Sequence, residues 1–196
     1  MALTKLNNKS VANVSTLPVA LGDMVLVSSA TASSSASIEF SLGNYKEYKF
    51  YFVNIHPSAD GYQFLMNLST DGGSNYNVTK TTSFFRAFHN EADTNTSLSY
   101  GTGEDMAQGT GYAVISSGTG TDNDQNISGI FTLFNPSSTV YVKHFLSTFQ
   151  TYTDNDYSRN DFVGGYANTT SALTNISFKI ASGNIDAGKI LMFGIN

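Results

Sequence analysis

The stretch Tyr45-Lys46-Glu47-Tyr48-Lys49-Phe50-Tyr51-Phe52-Val53-Asn54-Ile55 decides the fold. Tyr48, Phe50 and Phe52, with Asn54 after them, fall on one side of a period-two repeat. Lys49, Tyr51, Val53 and Ile55 fall on the other. Alternation of this length, rich in aromatic and β-branched side chains, predicts a β-strand. Apolar residues on both sides predict a central strand in a sheet packed on both faces.

The same signal repeats outward from this stretch. Before it lie the apolar run Met24-Val25-Leu26-Val27, a serine-rich segment over 28–37, and the alternating Ile38, Phe40 and Leu42. After it, Tyr62, Phe64, Met66 and Leu68 alternate up to the turn signal Asp71-Gly72-Gly73. Phe84, Phe85, Ala87 and Phe88 predict a further strand, and residues 91–110 read as a long polar loop with a short strand near Leu98 and Tyr100. Strands follow at Tyr112–Ile115 and Ile127–Phe134, and then a long one carries Val140, Val142, His144, Leu146 and Thr148 on one face and Tyr141, Phe145 and Phe149 on the other. Phe162–Tyr166, the alternating Ile176, Phe178 and Ile180, and Lys189–Ile195 complete the series. About ten strands separated by turn residues, with helix below ~10%, predict an all-β protein. The expected architecture is a two-sheet β-sandwich of jelly-roll type over residues 22–196, since a seven-stranded immunoglobulin domain needs only ~100 residues.

Composition agrees. Ser, Thr, Asn and Gly, poor in helix interiors and good in turns, number 25, 21, 19 and 17 among 196 residues, while 14 Phe and 11 Tyr supply large buried areas. Residues 1–21 have no such regularity. Leu3, Leu6, Val11 and Val14 are too scattered to form a core, and Pro18 disfavours helix at Leu17. This stretch is read as an extended N-terminal arm whose apolar residues Leu3, Leu6, Val11 and Val14 are expected to form a partner interface, pairing along a second copy or a neighbouring protein by strand addition, with folding back along the domain's own sheet edge as the alternative.

Charge and residue types narrow the chemistry. Ten Lys and Arg against fifteen Asp and Glu leave no basic face for a nucleic-acid backbone, and the six acids from Glu91 to Val142 stand without a single Lys or Arg. Zero cysteine removes disulfides, thiolate zinc sites and cysteine nucleophiles. No apolar run approaches the ~20 residues that span a bilayer, and the first ten residues lack the apolar core of a signal peptide, so neither membrane nor secretory targeting is expected. His56, His89 and His144 are the only histidines, and none stands near a G-x-S-x-G elbow or in metal-ligand spacing. The acid pairs Glu104-Asp105, Asp122/Asp124 and Asp154/Asp156 sit in turn-rich surroundings, and only Glu39 and Glu47 are placed in strands. Asp122, Asp124, Gln125 and Asn126, and Asp154, Asp156, Asn160 and Asp161, offer oxygens at alternating positions but do not continue into a calcium loop. No catalytic, cofactor or metal residues are therefore assigned. Tyr76, Tyr100, Tyr152 and Tyr157, among Asn, Gly and Ser, are expected to be exposed as a platform for sugars.

Three stretches carry a resemblance. They are the opening Met1-Ala2-Leu3-Thr4-Lys5-Leu6, the middle Gly129–Ser138 running into Val142-Lys143-His144, and the end Ala181–Ile190 closing on Phe193-Gly194-Ile195. With Ile55-His56-Pro57 and Phe85–His89, the likeness covers most of residues 22–196, and it resembles virion structural proteins of tailed phages infecting marine bacteria and cyanobacteria. The resemblance implies a non-enzymatic jelly-roll-like surface protein, assembled in the bacterial cytoplasm and located on the virion. It implies partners among other virion proteins and copies of itself, a trimer favoured. Capsid decoration or fastening is the expected role, and a tail-fibre or receptor-binding module touching host polysaccharide is the alternative. Long trimeric fibres carry a heptad or β-helical stalk, and no such repeat is present.

Overall fold

The computed structural model describes residues 24–196, and among these there are thirteen β-strands and no helix. In chain order they are β1 (Val25–Thr31), β2 (Ile38–Ser41), β3 (Glu47–Pro57), β4 (Tyr62–Ser69), β5 (Lys80–Asn90), β6 (Thr96–Tyr100) and β7 (Met106–Gly109). There follow β8 (Ala113–Thr119), β9 (Ile127–Phe134), β10 (Lys143–Tyr152), β11 (Tyr157–Ala167), β12 (Asn175–Ile180) and β13 (Ile185–Ile195). The arm expected over residues 1–21, with Leu3, Leu6, Val11 and Val14, lies outside the described residues.

Nine strands form one antiparallel sheet in the order β1-β13-β3-β9-β10-β11-β5-β6, with β7 also paired to β5. Four form the other, in the order β2-β12-β4-β8. The strands β6 and β7 divide one edge of β5 between them: β6 pairs with Phe85–His89, and β7 with Lys80 and Thr82. Both come from the stretch 91–110: β6 is the short strand expected near Leu98 and Tyr100, whereas β7 falls where only loop is expected. A short polar strand on an edge buries little and carries little periodicity, so sequence shows it poorly.

The two sheets pack face to face over an aromatic core. Phe178 of β12 lies 4.9 Å from Phe52, 5.4 Å from Phe50 and 6.0 Å from Phe131 between ring centroids, reaching across to the larger sheet. Phe64 of β4 meets Phe52 and Phe149 in the same way. Edge-to-face contacts of this kind add to the free energy of burying each ring.

The reading of β3 needs a correction. Tyr48, Phe50 and Phe52 are buried as expected, but Val53 on the opposite face is 45% exposed, so this sheet is not packed on both sides. Ile55, on the side of Lys49, Tyr51 and Val53 by period, is fully buried with Tyr48, Phe50 and Phe52 instead. Asn54 explains the switch. It adopts φ 51°, and the register with β9 shifts between Phe52 and Ile55, a β-bulge that inserts one residue and returns the chain to the inner face. Opposite it, Gly188 has φ 111°, and a Cβ there would come 2.5 Å from the Asn54 carbonyl oxygen. Asn tolerates the left-handed conformation and Gly leaves room for it.

A second correction concerns β10, which starts at Lys143. Val140 and Val142, expected on its outer face, precede the strand, and Val140 and Tyr141 stand 66% and 70% exposed.

Candidate functional site

The histidines are separated from one another. The Nε2 atom of His56 lies 3.2 Å from the Asp122 carbonyl oxygen, and that of His89 lies 2.9 Å from Asp93 Oδ1. His144 is exposed on β10, tilted against the Tyr166 ring. Among the described residues, none of the three hydrogen-bonds a serine or threonine hydroxyl.

The acids of residues 91–142 spread over three loops rather than forming one face, and besides Asp93 beside His89 two more have partners. Arg86 donates to Glu104 at 2.7 Å, and the Tyr100 hydroxyl donates to Asp105 at 2.9 Å. Asp71, read only as a turn residue, accepts from Ser69 Oγ and from both the backbone and side-chain nitrogens of Asn75. Those donors, Asn75 foremost, hold its carboxyl down to about 2. Among the described residues no three His, Asp or Glu side chains group as metal ligands do.

Asp161 is the acid that sequence placed wrongly. Sequence groups it with the turn oxygens of Asp154 and Asp156, but it sits in β11 and is fully buried. Its Oδ2 accepts from Ser116 Oγ at 2.9 Å and from the Ser117 amide at 3.0 Å, and Ser116 also bonds Thr151 at 2.6 Å. Its Oδ1 lies 3.1 Å from Arg159 Nε, off the line of a good hydrogen bond but within ion-pair range. Burial pushes its carboxyl up, against the opposing pull of Arg159 and the Ser116 and Ser117 donors. This cluster ties the edge strand β8 to β10 and β11.

Two features of the surface stand out. The first is the outer face of the larger sheet. One register row crosses eight strands through Ser29, Leu191, Tyr51, Ile130, Thr148, Phe162, Phe85 and Tyr100. Phe85 and Phe162 stack on each other at 4.8 Å with planes 8° apart. Around the row Leu146 is 56% and Leu98 75% exposed. Scattered apolar residues on a surface need no explanation, but a contiguous apolar face is a mark of contact with a partner.

The second is a cleft of about 230 Å³ between the end of β5, the start of β11 and the turn that precedes it. Phe88 and Tyr157 meet edge to face at 5.2 Å, and Arg86, Arg159, Asp154 and Asn155 complete the lining. The Nη2 of Arg159 is buried there without a protein acceptor. Of the four tyrosines expected as an exposed platform, Tyr100 is exposed, whereas Tyr76, Tyr152 and Tyr157 are half-buried. Neither feature was legible as a site, because each is assembled from strands far apart in the chain.

No protein-family model matches the chain, and no curated protein or solved structure does so either.

Proposed function

We propose that the chain is a non-enzymatic structural protein of the exterior of a tailed-phage particle, located on the virion, and that it decorates or fastens the capsid. The outer face of the nine-stranded sheet is the observation that carries this reading. A subunit of a shell needs a broad, shallow and partly apolar contact surface, and a row through Tyr51, Ile130, Phe162, Phe85 and Tyr100 is such a surface. Its partners are copies of itself, in a homo-oligomer for which a trimer is favoured, and other virion proteins. The arm of residues 1–21 adds backbone pairing to a neighbour through the segment bearing Leu3, Leu6, Val11 and Val14.

The topology supports reading the fold as a jelly roll. Eight strands pair first with last: β1 with β13, β2 with β12, β3 with β9, and β4 with β8. That is one long antiparallel hairpin. Rolling it brings β13 against β3 and β12 against β4, which are the remaining pairings of the eight strands. The strands β5–β7 and β10–β11 are then insertions that widen only the larger sheet.

Electron cryo-microscopy of the particle that carries the chain tests the proposal. Density for the sandwich in a regular array on the capsid is the expected result, and its absence from the particle would overturn it. A second reading, a module contacting host polysaccharide, is favoured by the cleft, where the Phe88 and Tyr157 rings stand beside Arg86, Asp154 and Asn155. Density confined to the tail tip, with glycan binding lost in Tyr157→Ala, would support that reading over the first.

A further inference from the structure

Two lysines, Lys80 and Lys143, are fully buried, and among the described residues neither has a carboxylate partner. Lys143 donates to the backbone oxygens of Thr169 and Ser171. Lys80 differs in one respect. Its Nζ donates to the Val78 oxygen at 2.6 Å and, also at 2.6 Å, to the side-chain oxygen of Asn67. Asn67 lies on β4 in the smaller sheet and Lys80 opens β5 in the larger, so the pair bridges the two layers.

We propose that Lys80 and Asn67 are the two halves of an intramolecular isopeptide bond that the folded chain forms by itself. The neutral Lys80 amine attacks Cγ of Asn67, a new N–C bond forms, and the Cγ–Nδ2 bond breaks. The departing Nδ2 takes the proton that the attacking nitrogen sheds and leaves as ammonia. Counting the proton first lost by the lysine ammonium, the products are a secondary amide and an ammonium ion. No electron is gained or lost and no co-reactant is required.

The surroundings of the pair favour each part of this step. A C=O bond is about 1.23 Å long, so with Nζ 2.6 Å from Oδ1 the Asn67 Cγ lies within about 3.8 Å of the nucleophile. That approaches the separation of ~3–3.5 Å at which bound groups react readily. The amide is fixed in orientation, because its nitrogen donates to the Tyr76 and Thr110 carbonyls while its oxygen accepts from the Leu68 amide at 2.8 Å. The Leu68 N–H therefore faces the oxygen on which negative charge develops, and two carbonyls face the nitrogen that leaves. Desolvation pushes the Lys80 amine down to about 8, so close to a tenth of it is the neutral nucleophile at pH 7. Among the described residues no carboxylate touches the pair to shuttle protons, so the bond is expected to form slowly after folding.

Intact-mass measurement of the full chain tests this, first directly after purification and then after incubation of the folded protein at alkaline pH. The expected result is the loss of one ammonia, about 17 Da, and no more. Trypsin should then pass over Lys80 and yield a peptide spanning 50–86 that is lighter by the same mass. Lys143→Arg should lose ammonia as the wild type does, since Lys143 faces no side-chain amide. Lys80→Arg should not. An asparagine can also lose ammonia by closing on its own backbone. A loss mapped away from Lys80, or one that persists in Lys80→Arg, would overturn the proposal. An unchanged mass in the folded wild type would do so as well. If Lys80→Arg does not fold, peptide mapping of the wild type still decides.

Discussion

On β10, Phe145, Ser147 and Phe149 point to the buried side of the sheet, while His144, Leu146 and Thr148 point to solvent. The neighbouring β9 repeats the contrast, with Phe131 and Leu133 inside and Ile130 outside. Each face thus alternates strictly, yet apolar residues occur on both. The inner face is apolar because a second sheet covers it. The outer face is mixed, but its row of Leu191, Tyr51, Ile130, Phe162, Phe85 and Tyr100 has no second sheet above it, which is the pattern of a surface kept for a partner rather than for folding. Four measurements distinguish these two kinds of burial.

The largest effect belongs to the inner face. Phe178→Ala removes the ring that meets Phe40, Phe50, Phe52, Phe64 and Phe131, and is expected to cost roughly 3–5 kcal/mol in urea unfolding. A loss below about 1 kcal/mol would show that the two faces differ less than their burial implies.

Next comes the buried charge of Lys80, which bridges the two sheets through Asn67. Unfolded, Lys80 keeps its proton up to about pH 10.5; folded, only to about 8. Between those values the unfolded chain binds more protons, so stability rises with pH, by at most roughly 3 kcal/mol. In protein whose Lys80 and Asn67 are still separate, the wild type should therefore gain on Lys80→Met as pH rises through that window. A difference independent of pH would contradict a buried ammonium at this position.

Asn54→Ala addresses the point where β3 turns its side chains over. Placing Ala at φ 51° should cost roughly 1 kcal/mol, and Asn54→Gly should cost less. Equal stability in the two variants would mean that the bulge relaxes to a regular strand.

The smallest stability effect, and the sharpest contrast, is on the outer face. Leu146→Ser should change unfolding by less than about 0.5 kcal/mol. The same substitution should reduce self-association measured by light scattering. If stability falls and association holds, the outer face serves the fold after all.

Sequence carried the strand alternation well in β2, β4 and β12, whose core sides hold Ile38 and Phe40, then Phe64, Met66 and Leu68, then Ile176, Phe178 and Ile180. It carried the two-sided reading of β3 poorly. Tyr51, Val53 and Ile55 look alike as letters, and only the left-handed Asn54 separates the exposed Val53 from the buried Ile55. Lys80, Lys143 and Asp161 were invisible for another reason. Charged residues are almost always exposed, and much of what satisfies these three lies far off in the chain: Asn67 for Lys80, the Thr169 and Ser171 carbonyls for Lys143, Ser116 and Ser117 for Asp161. The arm over residues 1–21 remains an expectation from composition.

The pairing of the first described strand with the last has a mechanical consequence. Val25 faces Gly194 across an antiparallel ladder that runs to Thr31 and Lys189. Tension applied between Met24 and Asn196 therefore pulls at the same end of both strands. The rungs between β1 and β13 would open one after another instead of sharing the load. Each backbone hydrogen bond contributes only about 1 kcal/mol net, so peeling starts at low force and the sandwich beneath stays intact while β1 comes away. Tugged at these two ends, the protein would behave as a zipper; pulled across the sheets, it would resist as a block.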